Sequence, residues 1–316
     1  MLFRYKIYLL FFLPSLLNGQ DRKWVFQAPK MGSLFAIQAY AQDSVKVALA
    51  AQKAFEAVDS LNHIFSDYDS TSELSKLSAT AGLGQWIGVS PALFSIIKTS
   101  KMAWQKSNEG FDISLGRLSI LWRNARKTMV FPSKKAIANA LATAGMESIL
   151  IDEKEQKVKL LKQGTRLDLG GIGKGYAAQT MLEIMQKEGF GMVLCDAAGN
   201  MAIGQKPPNK EGWLIGIGRS KNLENFDNNL LTLSNIAVST SGDMFQFFEH
   251  KGQRFSHIIN PKTGLGLQSQ RQVSIVCANA TTADWLSTAC SVLPIKKSKL
   301  LAQKMKAKIL IFERGK

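Results

Sequence analysis

The sequence predicts an α+β fold, one compact domain of mixed antiparallel sheets with flanking helices. Three observations carry that prediction. Helical periodicity recurs between Asp43 and Gly145, short apolar strands cluster between Gly191 and Cys277, and two more helices with a last strand close the chain. Strands grouped this way, with helices before and after, argue against the regular alternation of a parallel α/β fold. No internal repeat or linker-like tract divides the 316 residues, and a composition 46% apolar and 20% charged suits a chain that buries a real core.

The first segment, MLFRYKIYLLFFLPSLLNGQ, sets Arg4 and Lys6 ahead of an apolar run from about Ile7 to Leu17, followed by Asn18 and Gly19. This is the pattern of a secretory signal peptide, and its apolar core is shorter than the roughly 20 residues of an untilted span. We expect a signal peptide over residues 1–20, cleaved near Gly19 or Gln20, one folded domain over 21–316, and an exported protein, periplasmic or inner-membrane-associated. No cysteine near the cleavage point supports a lipid anchor. The net charge of +16 falls to about +14 once Arg4 and Lys6 are removed. That charge favours anionic partners, but the basic residues are scattered over the chain and do not form a nucleic-acid-binding arm. Cys195, Cys277 and Cys290 have no metal-like spacing and lie in apolar segments, so buried free thiols are expected.

Element by element, MGSLFAIQAYA from Met31 to Ala41 alternates as a strand, and DSVKVALAAQKAFEAVDSLNHIF places Ala54, Phe55, Val58, Leu61, Ile64 and Phe65 on one helical stripe. Asp43 is its N-cap. Ser90 and Pro91 open a second helix that ends near Asn108 and Gly110, and Ser133 caps a third that Gly145 stops. ESILIDE and QKVKLL read as a hairpin. A helix is expected from about Lys174 to Glu188, then a buried strand in GMVLCDAAGNMAIG that breaks at a small-residue turn. Strands follow at Trp213–Ile217, Leu230–Leu233, Ile236–Ser239, Arg254–Ile258 and Gln272–Cys277. Helices near Thr282–Val292 and Lys296–Lys306 precede the strand AKILIFE.

Chemistry concentrates in four stretches. DLGGIGKGYAAQ, from Asp168 to Gln179, resembles a phosphate loop, yet it departs from the nucleotide templates. Gly175 stands where a P-loop needs Ser or Thr, and Tyr176 where a dinucleotide fingerprint needs a small residue. Two readings stay open: a tight strand-to-helix turn without a ligand, or an anion cradle at a helix N-terminus. AVSTSGD, from Ala237 to Asp243, puts hydroxyls and a glycine at what reads as a strand end, suited either to phosphate oxygens or to an ordinary turn capped by Asp243. RFSHIINPKTG places His257, one of three histidines, just before an Asn-Pro turn. In TTADWLSTAC, Asp284 and Thr288 are four apart on a predicted helix, so their oxygens face one way and suit a hard cation.

In this order, these stretches resemble the ApbE family, the FAD:protein FMN transferases of bacterial envelopes. DLGGIGKGYA is similar to the family's DLGGIAKGYA, VSTSGD to ATSGD, FSHIINPKTG to YSHIIDPRTG, and TTADWLSTA to a helix containing ADALATA. KMGSLFAI, FSDYDSTSELSKLS and GFDISLGRLSILW match further family segments, so the likeness spans roughly Met31 to the C-terminus. The resemblance implies a single ApbE-like, T-fold-like domain with FAD as substrate beside a magnesium ion. Carried over position by position, Asp284, Thr288 and the carbonyl of Gly171 would hold magnesium. Met31, Tyr68, Gly110, Phe111, Asp112, Asp168, Lys174 and Ile259 would line the FAD site. Asn260, Gly173 and the run Ala197–Asn200 depart from the family's usual residues, and Trp285 is bulky beside the metal pair.

The implied reaction is transfer of FMN from FAD to a threonine hydroxyl on a second protein, with release of AMP. His257 is the candidate base, with Asp243 second. The acceptor would be an exported or membrane-bound electron-transfer protein, reached near the membrane surface, with no nucleic acid involved. A magnesium-dependent FAD pyrophosphatase and a non-enzymatic flavin-binding protein are the alternatives.

Overall fold

The computed structural model describes residues 21–217, 230–242 and 247–313, and the expected signal segment lies outside them. Strands β1 (Arg22–Lys30) and β2 (Ser33–Ala41) form a hairpin closed by Met31 and Gly32, both at positive φ (48° and 70°). That is the mirror-image two-residue turn whose twist suits paired strands. Helix α1 (Ser44–Phe65) starts where the Asp43 side chain accepts the amides of Val45 and Lys46. Its buried stripe includes Val47, Ala50, Ala54, Val58, Leu61 and Phe65. Helix α2 (Glu73–Ala79) leads through β3 (Ile87–Gly88) to α3 (Pro91–Lys106), capped by Ser90 as predicted. Next come α4 (Gly116–Thr128) and α5 (Lys134–Leu141), then β4 (Ile149–Asp152) and β5 (Lys157–Leu160), the expected hairpin, to which β3 adds a third strand.

Helix α6 (Gly173–Lys187) precedes β6 (Val193–Ala197), β7 (Asn200–Ile203), β8 (Trp213–Gly216), β9 (Leu230–Leu233) and β10 (Ile236–Gly242). Strands β11 (Phe247–His250), β12 (Gln253–Ser256) and β13 (Arg271–Cys277) lead to α7 (Ala280–Val292), α8 (Ile295–Lys304) and β14 (Lys308–Glu313).

Seven strands build one antiparallel sheet in the order β1-β2-β6-β7-β10-β13-β14. Its inner face is covered by α1, α6 and α7, packed side by side. Phe35, Ile37, Ala237 and Ile275 from the sheet meet Ala54, Met181 and Leu286 from the helices in the main core. The opposite face carries Leu194, Ile203, Val238 and Val276, sealed by Trp213 and Ile215 of the β8–β9 hairpin. A third cluster joins Leu118 and Trp122 of α4 to Ile137, Phe248 and Phe255, so the β11–β12 hairpin rests on α4. All three cysteines are buried free thiols, as expected.

Five elements were not predicted: β1, α2, β3, α4 and β11. Helix α2 has a local cap, Ser72 Oγ accepting the Ser75 amide at 3.0 Å, whereas α4 is held by its neighbours more than by its own pattern. β1 is an edge strand that tolerates Pro29 because one side of it has no ladder partner. α4 starts at Gly116 with no side-chain cap; Leu118, Trp122 and Ala125 are buried, while Ile120 and Leu121 are only partly so.

Candidate active site

The turn from Asp168 to Gly175 delivers the chain into α6. Asp168 is held at both ends: its amide donates to Ile113 O at 2.7 Å, and its Oδ1 accepts the Gly170 amide at 2.8 Å. No side chain of its own caps α6. The first amides of a helix have no intrahelical acceptor, so they seek one elsewhere. Asp284 on α7 supplies it, its Oδ2 accepting the Gly175 amide at 2.7 Å.

Two glycines make that contact sterically possible. A Cβ on Gly175 would lie 2.4 Å from Ala280 O and 2.5 Å from Asp284 Cβ, so only glycine lets α6 meet α7 there. A Cβ on Gly171 would lie 3.1 Å from Thr288 Oγ1 and 3.2 Å from Phe111 Cε2. Gly171, Gly175, Phe111, Asp284 and Thr288 therefore form one assembly. Asp284 is 4% exposed. Burial pushes its carboxyl up to about 6, against the opposing effects of the Gly175 hydrogen bond and the Lys174 charge. Lys174 acts in the same way on Asp196 of β6, whose carboxyl is raised first of all by burial and accepts the Gly199 amide at 2.6 Å.

The hydroxyls of β10 correct one expectation. Residues 239–242 are strand, not turn, and their side chains alternate between the two faces of the sheet. Thr240 pairs with Ser274 at 2.8 Å, whereas Ser239 and Ser241 reach α7. Ser241 Oγ lies 2.6 Å from Ser287 Oγ and 3.2 Å from Thr288 Oγ1. Asp243 lies outside the described residues.

Phe111 follows the two positive-φ residues Asn108 and Glu109 and donates its amide to Ser107 Oγ at 3.0 Å. Next to it Asp112 Oδ1 accepts the amide and hydroxyl of Ser114, and burial pushes this carboxyl up to about 6. Gly110 packs against Leu293, which a Cβ would approach to 3.0 Å. Trp285 is fully buried in the main core, its ring centre 6.2 Å from that of Phe111.

Tyr68 is 80% exposed, yet one face of its ring lies 4.0 Å from the Arg123 guanidinium. Arg123 forms an ion pair with Asp67, and Arg166 Nη2 donates to Asp67 O at 2.9 Å. Burial and the nearby Asp168 charge raise the Asp67 carboxyl, and Arg123 opposes them. Motif reading missed Asp67, Arg123 and Asp196, because a charged residue shows no partner in one dimension.

Met31 occupies the β1–β2 turn, half-buried against the main core. His257 and Ile259 follow β12 in the segment that rests on α4, where Ile259 is buried. The described contacts do not bring Met31 or Ile259 directly onto Asp284. Asn260 builds its turn as an aspartate would, with Oδ1 accepting the Lys262 amide at 2.9 Å.

Among the described residues no three His, Cys, Asp or Glu side chains cluster as a metal cage. The donors at Asp284 and Thr288 are a carboxylate, a hydroxyl and the adjacent backbone, all oxygen, which is the chemistry a hard divalent cation takes. Gly171 packs close to that pair, since a Cβ on it would lie 3.1 Å from both Thr288 Oγ1 and Thr288 Cγ2.

A family model described as the ApbE family matches residues 31–311. The FAD:protein FMN transferase of Escherichia coli (strain K12) is 27% identical over 282 residues, spanning 87% of this chain and 80% of that protein. Its counterpart from Salmonella typhimurium is 26% identical over 292 residues, spanning 90% and 83%. The crystal structure of the apbe protein from Thermotoga maritima superposes with a TM-score of 0.82 at 28% identity, covering 93% of this chain and 95% of that one. The apo flavinyl transferase ApbE of Pseudomonas stutzeri gives the same TM-score at 24% identity, covering 94% and 93%.

Proposed function

The chain belongs to the ApbE family, and on that premise we propose that it is an FAD:protein FMN transferase acting on a threonine of an exported or membrane-bound acceptor. One observation supports this above the others: a glycine turn at the head of α6 and an Asp–Thr pair on α7 meet at Gly175 and Asp284. The positive end of α6 and the Lys174 side chain suit a diphosphate, and Asp284, Thr288 and Gly171 suit magnesium.

In the reaction the acceptor hydroxyl oxygen bonds the FMN-side phosphorus of FAD, the P–O–P bridge breaks, and AMP leaves with the bridging oxygen. A bound magnesium ion would offset negative charge on the diphosphate. Lys174, at the positive end of α6, orients the same group. Phe111, buried, packs against Gly171. His257 takes the hydroxyl proton, and Tyr68, clamped on one face by Arg123, offers the other to a planar ring. The basic surface favours docking on an acidic acceptor or an anionic membrane.

The test is incubation with FAD and magnesium, with and without a co-expressed acceptor. A mass gain of FMN on threonine together with AMP is the expected result. FMN and AMP released equally without acceptor would replace this function with FAD hydrolysis, and bound flavin without AMP would leave only binding. Replacing His257 with Gln should abolish labelling while FAD is retained, and normal labelling would remove it as the base.

A further inference from the structure

We infer that Ser241 and Ser287 form a hydroxyl relay that aims the oxygen of Thr288 at a divalent cation, making Ser241 a positioning residue for that ion. The inference rests on the magnesium site of the proposed function and deepens it. Four hydroxyls meet where β10 packs on α7. Ser239 Oγ donates to Asn200 Oδ1 at 2.6 Å, and Ser287 Oγ donates to the Asp284 carbonyl at 2.9 Å. Each hydroxyl owns one hydrogen. Either oxygen can donate in the 2.6 Å contact between Ser241 and Ser287, and in the arrangement we infer Ser287 keeps its hydrogen on the Asp284 carbonyl while Ser241 donates. In that arrangement Thr288 donates to Ser241 across 3.2 Å.

The hydrogens consequently run from Thr288 to Ser241 to Ser287 to the Asp284 carbonyl, away from Thr288 Oγ1. That leaves the lone pairs of Thr288 for a cation near Gly171, where a Cβ would come within 3.1 Å of Thr288 Oγ1. A cation drawing on those lone pairs makes the Thr288 hydroxyl a stronger donor, which strengthens the relay in turn. Outer partners that orient a ligand commonly change metal affinity by about 10–100-fold. Ser239 differs from Ser241, because its hydrogen is spent on Asn200 and its 3.1 Å contact with Ser287 carries none of the chain.

The test is calorimetric titration of the full folded chain with magnesium chloride, without flavin or acceptor. Ser241→Ala should weaken magnesium binding about 10–100-fold, Ser287→Ala by less, and Ser239→Ala by no more than about 3-fold. Ser241→Thr, which keeps a hydroxyl, should recover most of the affinity. Equal losses from Ser239→Ala and Ser241→Ala, or unchanged binding in Ser241→Ala, would overturn the relay while leaving the metal site standing. Wild-type protein that binds no magnesium would overturn the metal site, and the relay with it. Should Ser241→Ala fail to fold, the ratio between Ser287→Ala and Ser239→Ala decides the matter.

Discussion

The Gly175 amide donates to Asp284 Oδ2 at 2.7 Å, joining residues 109 positions apart. A carboxylate from α7 thereby caps the start of α6, where the helix dipole is positive. The glycine turn and the Asp–Thr pair are held as one unit, and the predictions below probe it and its surroundings.

Glycines two positions apart in this turn should respond in opposite ways. Gly175→Ala forces a Cβ to within 2.4 Å of Ala280 O, so α6 and α7 must separate, a loss of about 1–3 kcal/mol. Gly173→Ala meets nothing closer than Leu169 Cβ at 3.8 Å and should gain about 0.5–1 kcal/mol from helix propensity. Urea unfolding of both variants checks the order, and a less stable Gly173→Ala than Gly175→Ala would refute the packing account.

Asp284→Asn keeps an oxygen to accept the Gly175 amide while removing the buried charge. Folding should survive, with a thermal midpoint no lower than wild type in the absence of metal. Magnesium-dependent FMN transfer should fall by on the order of 100-fold or more. A matched loss of fold and activity would assign Asp284 a structural role alone.

The raised carboxyl of Asp112 sets a pH dependence. Because burial lifts its folded value to about 6 from 3.8, the folded chain binds more protons than the unfolded one between those values. The Asp112 contribution to stability therefore rises as pH falls from about 6 towards 4, and is lost as pH rises through 6. Asp112→Asn should flatten this slope and stabilise the protein at pH 7 by on the order of 1–2 kcal/mol. Chemical unfolding at pH 4.5 and 7 measures both effects.

Arg123→Met leaves the Asp67 carboxylate without its partner. At pH 7 the cost should be about 3 kcal/mol, shrinking towards pH 5 as Asp67, already raised by burial, takes up a proton. A cost independent of pH would show that Arg123 acts through its packing on Tyr68 instead of through Asp67.

The helices α1, α3 and α5 were legible because Asp43, Ser90 and Ser133 cap them locally and their apolar residues recur at helical spacing. Helix α4 was not, since it lacks a cap and is held by Trp122, whose Nε1 donates to Gly264 O at 2.8 Å from far along the chain. The Asp–Thr pair and the glycine turn were visible as patterns. Their neighbours Asp67, Arg123 and Asp196 were not, because ion pairing and burial are relations between segments.

The sequence by itself determined most of the helices and strands, and which short runs carry oxygen donors, since capping and periodicity act over a few residues. Only the tertiary structure decided which hydroxyls of β10 serve the site. Pairing Ser239 with Asn200 on one side and Ile275 on the other sends Ser239 and Ser241 towards α7 and Thr240 away from it. Side chains on a strand alternate, so a register slip of one residue would have exchanged them.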